Sequence, residues 1–149
     1  MSKLEQFKAD DIIIMEGDAC PDLYKIISGE VACYTSYGKK DEYLIGLYGK
    51  DRFLCVEDFL NNHTSHTTCV VVEDVLAMRI TQEEFPEYIR TNTANAMDIM
   101  KHLAKGIHLL NKHIQLVTNE LEAKELSNQA ERVDVKRKML ESKYLWMSV

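Results

Sequence analysis

The sequence predicts a mainly β fold with α: an antiparallel sandwich or roll of short strands, followed by a long helix. Three observations predict it. Between Phe7 and Ile80, short apolar runs alternate at even spacing with turns rich in Gly and Asp. Thr81-Gln82-Glu83-Glu84 then carries the pattern of a helix capping box. After Pro86 no proline interrupts the chain, and from Met100 apolar residues recur every seven positions.

Each element follows from local chemistry. Ile12-Ile13-Ile14-Met15 reads as a strand closed by the turn Glu16-Gly17-Asp18. Leu23 to Ile27 is a second strand, closed by Ser28-Gly29, where glycine supplies the positive φ of a turn. Glu30 to Thr35 restarts at once, so the pair reads as a hairpin. Glu42 to Tyr48 lies between two polar turns, Tyr37 to Asp41 and Gly49 to Asp51. Thr67 to Val72 and Val75 to Ile80 are β-branched runs split by Glu73-Asp74. The capping box begins a short helix to about Ile89, and Thr91-Asn92-Thr93 offers a cap for the next one.

In the long helix, Met100, Ile107, Ile114 and Leu121 fall in one column, and Leu103, Leu110 and Val117 in another. β-branched residues in the first and leucines in the second favour a parallel two-stranded coiled coil. These seven residues are the predicted dimer interface. The alternative is one helix burying the stripe against its own β-domain. Lys124, Asn128 and Glu131 break the repeat. A weaker stripe of Leu126, Ala130, Val133, Leu140 and Tyr144 follows in another phase, so a bend or second helix is expected near Ser127-Asn128. Trp146 and Met147 suggest that the last segment packs on something.

With 149 residues and 46% hydrophobic content, the chain can bury a core of one domain. The net charge is −6, and beyond Val117 six acidic and six basic residues cancel, so the excess falls on the first 116 residues. That disfavours nucleic acid as a partner of the β-domain, because phosphates need a basic face. No apolar run approaches a membrane span, and Met1 to Glu5 turns polar at once, with no secretory signal. Cys20, Cys33, Cys55 and Cys69 are scattered, without a Cys-x-x-Cys pair, and free thiols in the cytoplasm are the expectation.

Glu16-Gly17-Asp18 after an apolar strand, and Tyr24 leading into Ile26-Ile27-Ser28-Gly29-Glu30-Val31, resemble the cyclic nucleotide-binding domain of the catabolite-activator (Crp/Fnr) superfamily. The resemblance covers roughly Lys3 to Leu121. It implies an eight-stranded, jelly-roll-like antiparallel β-roll followed by a long dimerisation helix. On this reading residues 1–90 are the ligand-sensing roll, 91–126 the dimerisation helix and 127–149 a C-terminal helical segment. That segment is too short for a complete winged helix-turn-helix.

The family's nucleotide cassette reads approximately Phe-Gly-Glu, a short apolar helix, then Arg-Ser/Thr-Ala. The Glu takes the ribose hydroxyl, the Arg the cyclic phosphate, and backbone amides complete the anion site. Here Phe53-Leu54-Cys55-Val56-Glu57 and His66-Thr67-Thr68 stand in its place. Ungapped, Cys55 replaces the Gly, Val56 the Glu, His66 the Arg and Thr68 the Ala. Thr67 fits the Ser/Thr position, and a shift of one residue puts Glu57 in the acidic role. Valine accepts no hydrogen bond, and histidine lacks arginine's bidentate fork. Losing the arginine pair alone weakens nucleotide binding by about 10- to 100-fold. Cys55, Val56, Glu57, His66, Thr67 and Thr68 are therefore the candidate pocket, re-tooled for another small anionic ligand of unknown identity. The competing reading of Asn61 to Thr68 is a solvated loop.

No cofactor or metal is assigned. His63, His66 and Cys69 are spaced by three, but residues an odd number apart on one strand face opposite sides. His102, His108 and His113 lie off the two helical columns and read as surface residues. Lys136-Arg137-Lys138 has acidic neighbours and reads as a solvated helix face. No nucleophile–base set or phosphate loop supports catalysis. The expectation is a non-catalytic, dimeric sensor or regulatory domain that does not bind cAMP or cGMP in the usual way. A small-molecule effector is its expected partner, with no membrane, and DNA only if a reading head is supplied elsewhere. The alternatives are a dimerisation or protein-interaction module with a decayed pocket, and a truncated Crp/Fnr-type DNA-binding regulator.

Overall fold

The computed structural model describes residues 2–126 and 132–147, with backbone alone for 132–135 and 144–147. Its elements are β1 (Lys3–Phe7), β2 (Ile12–Ile14), β3 (Asp22–Thr35), β4 (Tyr43–Tyr48), β5 (Phe53–Leu54), α1 (Val56–Asn61), β6 (Thr68–Thr81), α2 (Phe85–Thr91), α3 (Thr93–Glu125) and α4 (Arg132–Met147). The chain divides into two compact units, residues 1–104 and 105–149. α3 contributes to both.

Two strands of 14 residues each, β3 and β6, form the antiparallel spine of the first unit. The sheet order is β1-β6-β3-β4, with β2 also on β6 and β5 also on β3. β1 and β5 flank one half of the spine: Phe7 pairs with Val75, and Lys25 with Phe53. β2 and β4 flank the other half: Ile12 pairs with Val70, and Val31 with Tyr48. Arg79 on β6 ties three strands together, reaching Asp22 on β3 at 2.6 Å and Glu5 on β1 at 3.0 Å. Such forked arginine–carboxylate contacts fix geometry as well as adding energy.

This antiparallel sheet followed by a long helix is the predicted fold class, but two predicted breaks are absent. Ser28-Gly29 does not reverse the chain into a hairpin, and Glu73-Asp74 does not split β6. Instead the two sites face each other across the spine, where the register shifts between Ser28 and Glu30. Gly29 has φ +93°, which bends β3 without ending it. The two long strands replace four short ones, so the sheet has six strands among the described residues, where the resemblance implies eight.

Two apolar clusters fill the unit. Ile26, Val31, Cys33, Leu54, Cys69, Val71, Val75 and Ala77 line the inside of the roll. Leu23, Phe53, Val56, Phe59, Ile80 and Ile99 form the second cluster, with Leu103 packed against it. Phe59 meets Phe85 edge to face at 5.1 Å, a favoured geometry for aromatic pairs.

The reciprocal bonds of the predicted capping box form in the turn that precedes α2, whose N-cap position is Glu84 rather than Thr81. The Glu84 amide donates to Thr81 Oγ1 at 3.2 Å, and the Thr81 amide donates to Glu84 Oε2 at 3.1 Å. Asn92 then caps α3, its Oδ1 accepting from the Ala94 amide at 3.0 Å. The first turns of α3 are held by Lys25, whose Nζ lies 3.1 Å from Asp98. His102 holds them as well, and here the surface reading is corrected: it is only 5% exposed. Its Nδ1 accepts from Arg52 Nε at 3.0 Å and from the Phe53 amide at 3.2 Å.

In the second unit, Ile107, Leu110, Ile114, Val117 and Leu121 are exposed on α3. Leu109 and Leu116 are exposed as well, forming a column that the heptad reading omits. α4 supplies the second helix expected after Leu121. The junction at Ser127-Asn128, together with Ala130 and the side chains of Val133, Tyr144, Trp146 and Met147, lies outside the described residues. Among the described residues no helix is long and apolar enough to cross a membrane.

Candidate functional site

β5 delivers the chain into α1 through Cys55, whose backbone is left-handed at φ 60° and ψ 29°. That conformation is unfavourable for a residue with a β-carbon. It lets the Cys55 carbonyl accept from the Phe59 amide at 2.9 Å and start the helix. The next two residues leave the pocket. Val56 is 0% exposed and packs among Phe53, Phe59 and Ile80, whereas Glu57 is exposed.

Asp58, which the sequence reading did not select, takes the position of consequence. It is buried, and its Oδ2 accepts from the His66 amide at 3.1 Å. The same oxygen lies 2.5 Å from His66 Nδ1, while the His66 side chain remains 54% exposed. His66, which the sequence reading sets against the family's arginine, is thus joined to an internal carboxylate through both ring and backbone.

The polar loop before β6 is half buried rather than a solvated connection. Ser65, Thr67 and Thr68 are buried, while Asn61 to Thr64 and His66 are exposed. The predicted turn Glu16-Gly17-Asp18 buttresses this loop. The Gly17 amide donates to the Ser65 carbonyl, and the Ser65 amide to the Asp18 carbonyl, each at 2.7 Å. Thr68 Oγ1 accepts from the Glu16 amide at 3.0 Å. Ser65 Oγ donates to the Thr67 carbonyl at 2.6 Å and lies 3.3 Å from Cys55 Sγ. Of the six predicted pocket residues, Cys55, His66 and Thr67 share this network. Val56 belongs to the core, Glu57 to the surface and Thr68 to the buttress.

The scattered cysteines converge. All four are buried and free. Cys33 and Cys69 are register partners on β3 and β6, with Sγ atoms 3.0 Å apart. Cys69 adjoins Cys55, which adjoins Cys20, so the four thiols form one row. Burial, reinforced by Cys55, pushes the Cys20 thiol up to about 12. The hydrogen bond with Cys69 and burial push Cys55 up, and the hydrogen bond with Cys33 raises Cys69. A cavity of about 110 Å³ opens beside Cys20, lined also by Ile13, Ile14, Asp18, Asp22 and Tyr24. None of the six predicted pocket residues lines it.

Comparison with known proteins places this geometry in a family. A sequence profile of the cyclic nucleotide-binding domain matches residues 4–92, more than half of the chain. No curated protein sequence matches. Among solved structures, the catabolite activator protein of Thermus thermophilus is similar with a TM-score of 0.67 at 20% identity. The alignment covers 78% of this chain, and this chain spans only 55% of the Thermus protein. A transcriptional regulator from Thermotoga maritima aligns with a TM-score of 0.67 at 12% identity, over 79% of this chain and 92% of that one. The regulatory subunit of a cAMP-independent protein kinase A from Trypanosoma brucei aligns as a triple mutant bound to cAMP in its A site. Its TM-score is 0.58 at 20% identity, over 77% of this chain and 41% of that one. At these identities the structural likenesses speak for the fold, and the profile match carries the assignment: the chain belongs to the cyclic nucleotide-binding domain family.

Proposed function

We propose that this chain is a non-catalytic regulatory domain, dimeric through α3, that does not take cAMP or cGMP in the family's usual way. The observation that carries the reading is the Asp58–His66 contact. In the family cassette an arginine at this point meets the ligand's phosphate. Here the position holds a histidine whose ring and amide are already engaged by a buried carboxylate of the same chain. A cyclic phosphate brought to this place meets like charge from Asp58, and no guanidinium fork answers it. On the ungapped alignment the ribose contact is missing as well, because Val56 is buried in the core.

The Trypanosoma subunit supports the comparison. It is described as cAMP-independent, and the form bound to cAMP carries three substitutions, one of which introduces an arginine. Regulators of transcription share the fold of this chain, which supports a place in signalling or transcription. DNA binding on this reading requires a reading head supplied elsewhere. The exposed apolar columns of α3 support a second copy of the chain as partner.

Isothermal titration with cAMP and with cGMP tests the nucleotide reading. Neither is expected to bind with micromolar affinity, and binding at that level would overturn it. His66→Arg alone should not restore binding, because Asp58 pairs with the new guanidinium. Combining it with Asp58→Asn removes the internal carboxylate, so any gain in cAMP affinity is expected in the double variant first.

A further inference from the structure

We infer that the thiol row holds a zinc-class metal ion at Cys20, Cys55 and Asp58. One ligand atom from each lies within 4.8 Å of the other two, and all three residues are buried. The three come from two parts of the unit: Cys20 precedes β3, while Cys55 and Asp58 stand three residues apart at the start of α1. The fold therefore brings a distant cysteine to a local Cys-x-x-Asp pair. Two sulfurs and one carboxylate oxygen suit a borderline-soft divalent ion, and a water completes the tetrahedron.

Three further observations point to the same place. Cys55 occupies a left-handed backbone site at φ 60°, where a glycine avoids strain. In this conformation the Cys55 sulfur stands within 4.8 Å of the Cys20 sulfur. The outer contacts expected of a metal site are also present: Ser65 Oγ lies 3.3 Å from Cys55 Sγ, and His66 Nδ1 lies 2.5 Å from the Asp58 carboxylate. Finally, a cavity of about 110 Å³ opens beside Cys20, the one member of the three that lines it. On binding, each thiol gives its proton to solvent and becomes a thiolate, so one zinc ion releases two protons and leaves the carboxylate as the third donor.

This inference does not rest on the nucleotide reading, and its test is separate from the cyclic nucleotide titration. The reduced full chain, freed of metal by chelation, is titrated with Zn²⁺. Cd²⁺ is followed in parallel by its thiolate charge-transfer absorbance. One ion per chain and a raised melting temperature are expected. Cys20→Ser, Cys55→Ser and Asp58→Asn should each weaken zinc binding by about 100-fold or more. Cys33→Ser, at the far end of the row, should leave it intact. Failure of the reduced chain to bind zinc overturns the inference, as does equal affinity in the Cys20→Ser and Cys55→Ser variants. Should either serine variant fail to fold, the cadmium spectrum of the unmodified chain decides: a thiolate band at one equivalent supports the site, and its absence overturns it.

Discussion

At Gly29 a β-carbon would stand 2.2 Å from the Asp74 carbonyl oxygen, with the backbone at φ +93°. Neither neighbour can yield cheaply, because both are main chain in the spine of the sheet. Gly29→Ala is therefore expected to lower stability by about 3 kcal/mol or more, combining left-handed strain with a backbone clash. Urea denaturation followed by circular dichroism measures it, and a loss under about 1 kcal/mol would show that the bend does not need glycine. Gly17 has a similar φ but open space around it, so the same change there costs only the strain. The need for positive φ at Gly29 was legible in the sequence, whereas the close approach of Asp74 was not. That contact joins residues far apart in the chain and depends on strand register. The cysteines were illegible for the same reason: register brings Cys33 to Cys69, and the fold brings Cys55 to Cys20. Asp58 was not distinguishable from its neighbour Glu57, since the two acids stand side by side between Val56 and Phe59 and only the fold buries the second.

Among the elements, the strands were legible as apolar runs, but their continuity was not. Ser28-Gly29 and Glu73-Asp74 look like turns when each is read alone. Facing each other across an antiparallel pair, they become one bend in two long strands. The start of α3 shows a similar limit. A seven-residue repeat describes which residues share a face, but it does not say which partner covers that face. Ile99 enters the second core cluster, Leu103 packs against it, and His102 accepts from the buried Phe53 amide. Replacing His102 by leucine leaves that amide without this acceptor, and the cost is expected to be about 1–3 kcal/mol. Thermal and urea melts check the value. A stability unchanged by His102→Leu would show that packing alone holds the first turns of α3.

For the molecule as a whole, the question is what covers the apolar columns of α3, and the structure separates two roles that the heptad pattern merges. Leu103 is half-buried and serves its own unit, while Met100 and Ile107 are 54% and 53% exposed in the same stripe. From Ile107 to Leu121 the apolar side chains remain exposed, as the proposed partner surface requires. If that partner is a second copy, Ile107→Asn and Leu103→Asn must fail differently. Ile107→Asn should raise the dimer dissociation constant by about 100-fold, equivalent to about 2.7 kcal/mol, with the fold of residues 1–104 intact. Leu103→Asn should lower the melting temperature even at dilutions where the unmodified chain is monomeric, because its core contact is within the protomer. Sedimentation at micromolar protein reads the first effect, and dilution-dependent melting reads the second. A monomeric unmodified chain at that concentration would remove the seam, and α3 would then have to present its columns to a different protein.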